Sequence, residues 1–517
     1  MSILVTGVTG ARKSTIGQRL AGRLSLRFVE SDHGPPLVSN ASGSAISVHV
    51  GPTAPPHPPD GNTRFAFSPH LGDAEIVERV ARVLLRGGAL PGKLRASAEN
   101  AAAPLSSADT ERVLDELLAS LGPLRRVLLL PPDATRAHSG AGELTSALYR
   151  RLSPSAEVRV LPALGTHEPM SESQLSSMFP GVPHEHCLVH DFRRDVTTLG
   201  EVPGSFLAHV SEGRVDYPVP CQVSQHIASG YYDRVISIGQ LVPHEVVGIA
   251  NHSKNVFVGT GGKDCIDRSH FLGAVCGMES MMGRAHTPVR DVLNYMSAQL
   301  AAELPLTYLC TVRKKDARGQ IQTHGLYAGD DTGCFLAGAP LVQQLNLDLV
   351  EQSLRKVVVY LDPREFRTTW LGNKALYRTR MAIADGGELL ILGPGVRRFG
   401  EDPGIDALIR RHGYRGTVST LEQSQRDPEL GASLSAAAHL IHGSTEGRFR
   451  VRWAAGGLSR AEVESVGYEW ADVERELQRY APNRLVDGPN HLPNGEEIFY
   501  VSNPGLGLWA LRERFLT

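Results

Sequence analysis

Residues 126–136 read RVLLLPPDATR. An apolar run of strand length is stopped by Pro131-Pro132, which have no N–H to give a ladder, and Asp133 follows at once. The pattern recurs downstream. A strand predicted at Glu157–Ala163 ends at Gly165-Thr166-His167, and one at Arg234–Gly239 ends at Pro243-His244. Asn255–Val258, read as a further strand, ends at Gly259-Thr260-Gly261-Gly262. Helices are predicted between them, at Asp109–Leu121 and Ala141–Leu152. Short apolar strands alternating with helices indicate an α/β fold with a mainly parallel sheet. Ligands of such sheets sit beyond the carboxyl ends of the strands, which is where Asp133, His167 and His244 fall. A second α/β unit is expected from Lys356–Tyr360, through a helix carrying Asn373–Ala384, to a strand at Glu388–Leu392.

The expected organisation is therefore two α/β domains, 108–350 and 351–517, with the active site in the cleft between them. A P-loop-like fragment, 1–32, and a largely irregular Pro/Gly-rich linker, 33–107, precede them; the linker has one short strand expected at Ala45–Val50. A chain of 517 residues exceeds one compact domain, and 41% apolar with 21% charged residues fits sizeable cores. A formal net charge of −2 gives no reason to expect nucleic acid or an anionic membrane as partner. No apolar run reaches about eighteen residues, so no spanning helix is expected. Residues 1–7 lack the basic start and apolar core of a signal peptide. The six cysteines have no CxxC spacing and read as reduced thiols, which makes the cytoplasm the expected location.

Two stretches suggest chemistry on first inspection. In GVTGARKST, residues 7–15, Gly7, Lys13 and Ser14 match a phosphate-binding loop, but Arg12 occupies the position where a glycine must let the backbone approach the phosphates. With the following helix and RFVESD it resembles the start of small sugar-acid kinases such as gluconate kinase, over about 32 residues only. His184-Glu185-His186 and His190 are too closely spaced for H-E-x-x-H and read as solvated loop histidines.

The stronger candidates are Asp133, Thr135, Arg136, His167, His244, Lys254 and His270. Lys254 stands ten residues after His244, and His270 sixteen after Lys254. Each has a plain structural reading: Asp133 as a helix N-cap, the histidines as loop residues. Lys254, flanked by apolar residues, must snorkel or serve chemistry, because burying its charge is costly. A desolvated lysine has a lowered pKa and can act as nucleophile or covalent anchor. Arg136 is placed to bind a carboxylate or phosphate bidentately.

In this order D-x-T-R, G-T-H, P-H, Lys254 and His270 resemble the nickel-pincer lactate racemase family, over roughly residues 105–505. The resemblance implies a pyridinium-3-thioamide-5-thiocarboxylate mononucleotide, the nickel-pincer nucleotide, tethered to Lys254. It makes His270 the protein ligand of a nickel otherwise held by the cofactor's sulfurs and a ring carbon, a donor set suited to Ni(II). His167 and His244 become the acid/base pair. Asp133, Thr135 and Arg136 are expected at the cofactor, and Arg136, Lys374 and Trp370 at the substrate. The implied reaction takes a proton from the 2-hydroxyl and a hydride from C2 of a 2-hydroxy acid, then returns hydride to the other face of the keto acid. Cofactor-synthesis enzymes would be transient partners.

The chain departs from the family near the tether. Asn251-His252-Ser253 replace a glycine-rich approach, and Gly259, Gly261 and Gly262 are expected to cradle phosphate. The polar triplet is expected to face a polyhydroxylated substrate. Together with the kinase-like start, this points to a sugar acid such as D-gluconate, epimerised at C2. Lactate or another short 2-hydroxy acid is the alternative; a small-molecule kinase using the amino-terminal loop is the alternative of another class.

Overall fold

The computed structural model describes residues 94–316, 319–505 and 507–516. Of the amino-terminal part it describes five strands, β1 (Ser2–Thr6), β2 (Arg27–Val29), β3 (Leu37–Ser39), β4 (Ala45–Val50) and β5 (Thr63–Phe67), with helical residues at 16, 19–20, 76–77 and 80–81. The five strands form one sheet in the order β2-β3-β1-β4-β5. Three of them lie in the stretch expected to be a largely irregular linker. AISVHV and TRFAF are β-branched and aromatic enough to pair despite the prolines around them. The P-loop-like residues 7–14 lie outside the described residues.

The main sheet begins earlier than expected. Its edge strand β6 (Ala96–Glu99) falls in the predicted linker and pairs antiparallel with β15 (Ile321–Gly329). Between them the chain runs β7 (Arg126–Leu130), β8 (Glu157–Val160), the separate pair β9 (Val196–Val202) and β10 (Val219–Ser224), and β11 (Arg234–Gln240). The short pair β12 (Pro243–His244) and β13 (Gly248–Ile249) and then β14 (Leu306–Lys315) follow. The sheet order is β6-β15-β14-β11-β7-β8, with β14, β11, β7 and β8 parallel. These parallel strands are buried on both faces: Leu128, Leu130 and Val235 face one core, and Val127, Leu129, Ile236 and Ile238 another.

The second sheet has the order β20-β19-β18-β17-β22-β21. It comprises β17 (Leu354–Tyr360), β18 (Ile383–Gly393), β19 (Arg450–Ala455), β20 (Glu469–Trp470), β21 (Gly488–His491) and β22 (Glu497–Val501). All but β21 run parallel. The protein is thus α/β in both halves. Among the described residues no helix is long and apolar enough to cross a membrane, and all six cysteines are free.

The two halves share one core cluster, which contains Leu128 and Val235 of the first and Val357, Leu389 and Trp453 of the second. Helix Leu434–His442 packs on helix Lys263–Val275. A polar joint reinforces this packing: Glu279 accepts from Arg380 Nε at 3.1 Å and from Arg448 Nη1 at 2.5 Å. Arg380 is buried, so removing its carboxylate strands a charge away from water. Glu279→Ala is expected to cost about 1–3 kcal/mol of stability, read by denaturant unfolding, because Glu279 itself is partly exposed.

Candidate active site

Pro131-Pro132 end β7 and release Asp133 at the head of a 3₁₀ turn, Ala134–Ser139. Asp133 holds the N-cap position as expected, but its side chain makes no capping hydrogen bond there. Instead Asp133 Oδ2 lies 2.5 Å from His167 Nδ1, while Oδ1 accepts from Thr135 Oγ1 at 2.6 Å and Arg136 Nη1 at 3.2 Å. Burial works against the charge of Asp133, but these bonds and the Arg136 charge outweigh it and hold the carboxyl below its usual range. An ionised carboxylate only accepts, so neutral His167 carries its proton on Nδ1 and presents a free lone pair at Nε2. The His167 loop turns at Gly165, φ +57°, whose N–H donates to Gly259 O at 2.8 Å.

His244 is held the opposite way round. It sits on β12, and the backbone N–H of Val246 donates to its Nδ1 at 3.1 Å. Neutral His244 therefore carries its proton on Nε2. Burial, with the charges of Lys254, His270 and Arg378, pushes its pKa well down against the pull of Glu245. Glu245 is the neighbour that the sequence did not reveal. Burial opposes its charge, yet the surrounding charges, with Arg378 and Lys374 as the standing cations, hold it ionised far below the usual carboxylate range. Arg378 also donates to Pro243 O at 3.0 Å, which ties the second half of the chain to the His244 strand. Lys374 and Arg378 lie one helical turn apart in Lys374–Thr379, a spacing that could have flagged Arg378 once Lys374 was chosen. Nothing about a glutamate following a histidine marks Glu245 in the sequence.

Lys254 lies in a helix, Ser253–Phe257, not beside a strand. A four-residue apolar run cannot distinguish the two, and the bond from Val258 N to Lys254 O at 2.9 Å settles it as helical. Burial, then the Arg136 charge, outweigh Glu245 and bring the Lys254 amine down to about 8. The ammonium has no ion pair or hydrogen bond among the described residues. His270 sits inside helix Lys263–Val275 rather than ahead of a helix, and its Nδ1–H donates to Ile266 O at 2.7 Å. Its Nε2 lone pair is thereby fixed and free, the arrangement typical of a metal-binding histidine. Among the described residues no three His, Cys, Asp or Glu side chains converge as a cage. A metal at His270 would take its other ligands from a cofactor.

Other expectations fare differently. Gly261 and Gly262 are buried, and a Cβ on them would meet Phe257 O at 1.9 Å and Gln222 Oε1 at 2.3 Å. A Cβ on Gly259 would meet Asn255 O at 2.4 Å. These glycines serve close packing of the protein on itself rather than an open phosphate cradle. His252 and Ser253 are 1% and 0% exposed, with protein partners, so these two of the triplet do not face a substrate. Trp370 stacks on His439 at 4.2 Å. His442, at the end of that helix, feels the charges of Glu245 and His270. His184, His186 and His190 bond Ser176, Tyr149 and Gly261 O, and so serve structure.

The structure brings Arg136, His244, Glu245, Lys254, His270 and Lys374 into one electrostatic neighbourhood, with His167 joined through Asp133. Residues 97–283, which contain all of these but Lys374, match the family model of the lactate racemase N-terminal domain. Over this stretch the chain is similar to that domain. Its fold is that of a solved protein from Thermotoga maritima, with 21% identity, 80% of this chain and 100% of that chain covered, and a TM-score of 0.66. It is also that of the lactate racemase apoprotein from Thermoanaerobacterium thermosaccharolyticum, with 15% identity, 77% and 88% covered, and a TM-score of 0.58. No curated protein sequence matches the chain.

The buried imidazoles predict how this lactate racemase-like fold responds to acid. His252, His439 and His442 are each held by burial at about 3. Below about pH 6.5 the unfolded chain binds protons that the folded one refuses, so stability is full above that pH and falls toward pH 3. At pH 5 each of the three is expected to cost up to about 2 kcal/mol, read as melting temperature against pH.

Proposed function

We propose that this lactate racemase-like chain interconverts the configurations at C2 of a 2-hydroxy acid, with Lys254 as covalent anchor of a nickel-pincer nucleotide and His270 as its protein nickel ligand. The supporting observation is the pairing of a lysine amine held at about 8 with an imidazole whose Nε2 lone pair is free. An amine held at about 8 is free base in roughly a tenth of molecules at pH 7, far more than an ordinary lysine, and so is a competent nucleophile, and the free imidazole nitrogen suits Ni(II). When bound, the cofactor supplies the hydride acceptor and the metal.

The chain's own residues manage protons and charge. His167, with its Nε2 lone pair, is the base that takes the 2-hydroxyl proton, and Asp133 stabilises the imidazolium that results. His244 is the acid when it is an imidazolium, a form that requires Nδ1 to release the Val246 N–H, and the two exchange roles for the opposite configuration. Arg136 and Lys374 are the cations for the substrate carboxylate. Removing either histidine is expected to lower turnover by about 10²–10⁴-fold while cofactor loading persists.

One ground for a sugar acid was the triplet Asn251-His252-Ser253, and the burial of His252 and Ser253 weakens it; the other, the kinase-like start, lies outside the described residues. The proposal therefore stops at the 2-hydroxy-acid class. The kinase alternative rests on residues outside those described.

The test is protein produced together with the cofactor-synthesis enzymes. Intact mass should show an added group that is lost in Lys254→Ala, and His270→Ala should keep the added mass but lose nickel. The loaded protein, offered lactate, malate, gluconate and mannonate deuterated at C2, should invert at least one with the deuterium retained at C2. An unmodified, nickel-free wild type that inverts none of them would defeat the reading.

A further inference from the structure

Asn251 and His252, just before Lys254, hold φ values of +68° and +57°, and His252 combines this with ψ −130°. Side-chain-bearing residues avoid that region, and two in succession persist only where the surroundings over-determine them. Two buried groups do so here. From helix Pro288–Tyr295, Arg290 reaches under the turn at 1% exposure. Its Nη1 donates to Ser253 Oγ at 2.9 Å, and its Nη2 to Ile249 O at 2.6 Å and Asn251 O at 3.4 Å. The guanidinium lies 4.2 Å from the Phe335 ring centre, and Nε has no partner. From the other side the His252 ring stacks on Tyr308 at 3.8 Å and donates from Nε2 to Asp331 O at 2.9 Å.

Arg290 forms no ion pair among the described residues. A buried guanidinium without a counter-ion is expensive, and an apolar side chain would fill the same space at less cost. Every hydrogen bond of its side chain instead goes to the single segment 249–253. The distribution of those bonds matches a need to fix this turn, and the turn leads directly into the helix that begins at Ser253 and carries Lys254.

We propose that Arg290 and His252 form a buried clamp that holds the turn 249–253 in its left-handed form and so presents Lys254 for covalent attachment. They are positioning residues, and the proposal rests on Lys254 being the anchor. Arg290 keeps its proton at neutral pH even though burial lowers it to about 10, so the clamp is charged whenever the protein is folded at that pH.

The clamp is tested on protein made without the cofactor-synthesis enzymes. Limiting acetic anhydride is applied, and acylation at each lysine is followed by peptide mass spectrometry, with the exposed Lys314 and Lys315 as internal references. In Arg290→Met and in His252→Gly, acylation of Lys254 should slow by about fivefold or more while the references are unchanged. The amides of Lys254 and Asn255, which bond Asn251 O and His252 O, should exchange faster with solvent. His252→Gly guards against misfolding, since glycine accepts the backbone angles unaided. Arg290→Lys, which keeps the charge but loses the fork, should fall between. A residue that merely supports the fold would lower the melting temperature and leave the Lys254 rate alone. Lys254 acylated as fast as in wild type, or faster, in both variants, with unchanged exchange, overturns the clamp. Wild type that never gains mass on Lys254 in the loading experiment defeats the anchor reading instead, and the acylation rates still decide the clamp.

Discussion

The buried amide of Asn255 holds the site together. Its Nδ2 donates to Leu130 O at 2.9 Å and to Ser237 Oγ at 3.1 Å. Leu130 is the last residue of β7, and the two prolines after it have no N–H to continue the ladder. One side chain therefore completes the end of β7 and fastens the Lys254 helix to β7 and β11, whose Leu130 and Ser237 are register partners. Two further bonds extend the frame: Gly259 N to Lys254 O at 3.0 Å, and Gly165 N to Gly259 O at 2.8 Å. The Asp133–His167 pair and Lys254 are thus parts of one hydrogen-bonded unit, although they are far apart in sequence. Catalytic groups on loops gain precision when the loops are bonded to one another in this way.

The second half of the chain supplies dryness and charge. Helix Leu434–His442 covers helix Lys263–Val275, and Lys374 and Arg378 approach Glu245. Desolvation is the largest influence on His244, Lys254 and His270 alike, and in each case it favours the neutral form. Neutrality is what an acid/base imidazole, a nucleophilic amine and a metal ligand all require. Glu245 prevents the surrounding cations from making the pocket strongly positive, and Arg378 binds the carbonyl just before His244. The second half thus sets the ionisation of groups that the first half carries.

Much of this was legible in the sequence. Strand ends at prolines and glycines placed Asp133, His167 and His244 correctly, because backbone chemistry at those positions is local. The Lys254 helix was misread as a strand because a short apolar run satisfies both periodicities, and its hydrogen-bond pattern appears only in three dimensions. Asn251-His252-Ser253 looked like a polar surface for substrate. The burial of His252 and Ser253 depends on Arg290, Tyr308 and Asp331, up to 79 residues away, and no local pattern announces those partners. Glu245 and Arg378 were missed for the same reason. The strands within residues 33–107 were mostly hidden because proline-rich composition masks short β-branched runs.

The opposite tautomers of His167 and His244 carry an asymmetry that the sequence could not show. An imidazolium at His167 keeps its bond to Asp133, since Nδ1 is already the donor. An imidazolium at His244 must give up the Val246 N–H, because a protonated Nδ1 can no longer accept. Glu245 Oε2, an acceptor that could answer the charge, is 3.8 Å away, so the residue must shift to bond it. Proton transfer to His244 therefore includes a local rearrangement that transfer to His167 does not. The equilibrium between two enantiomers, and with it the ratio of kcat/KM in the two directions, is fixed at unity, but kcat and KM taken separately can differ between the directions. Arg378, which binds the carbonyl before His244 and attracts Glu245, is the side chain placed to govern that rearrangement.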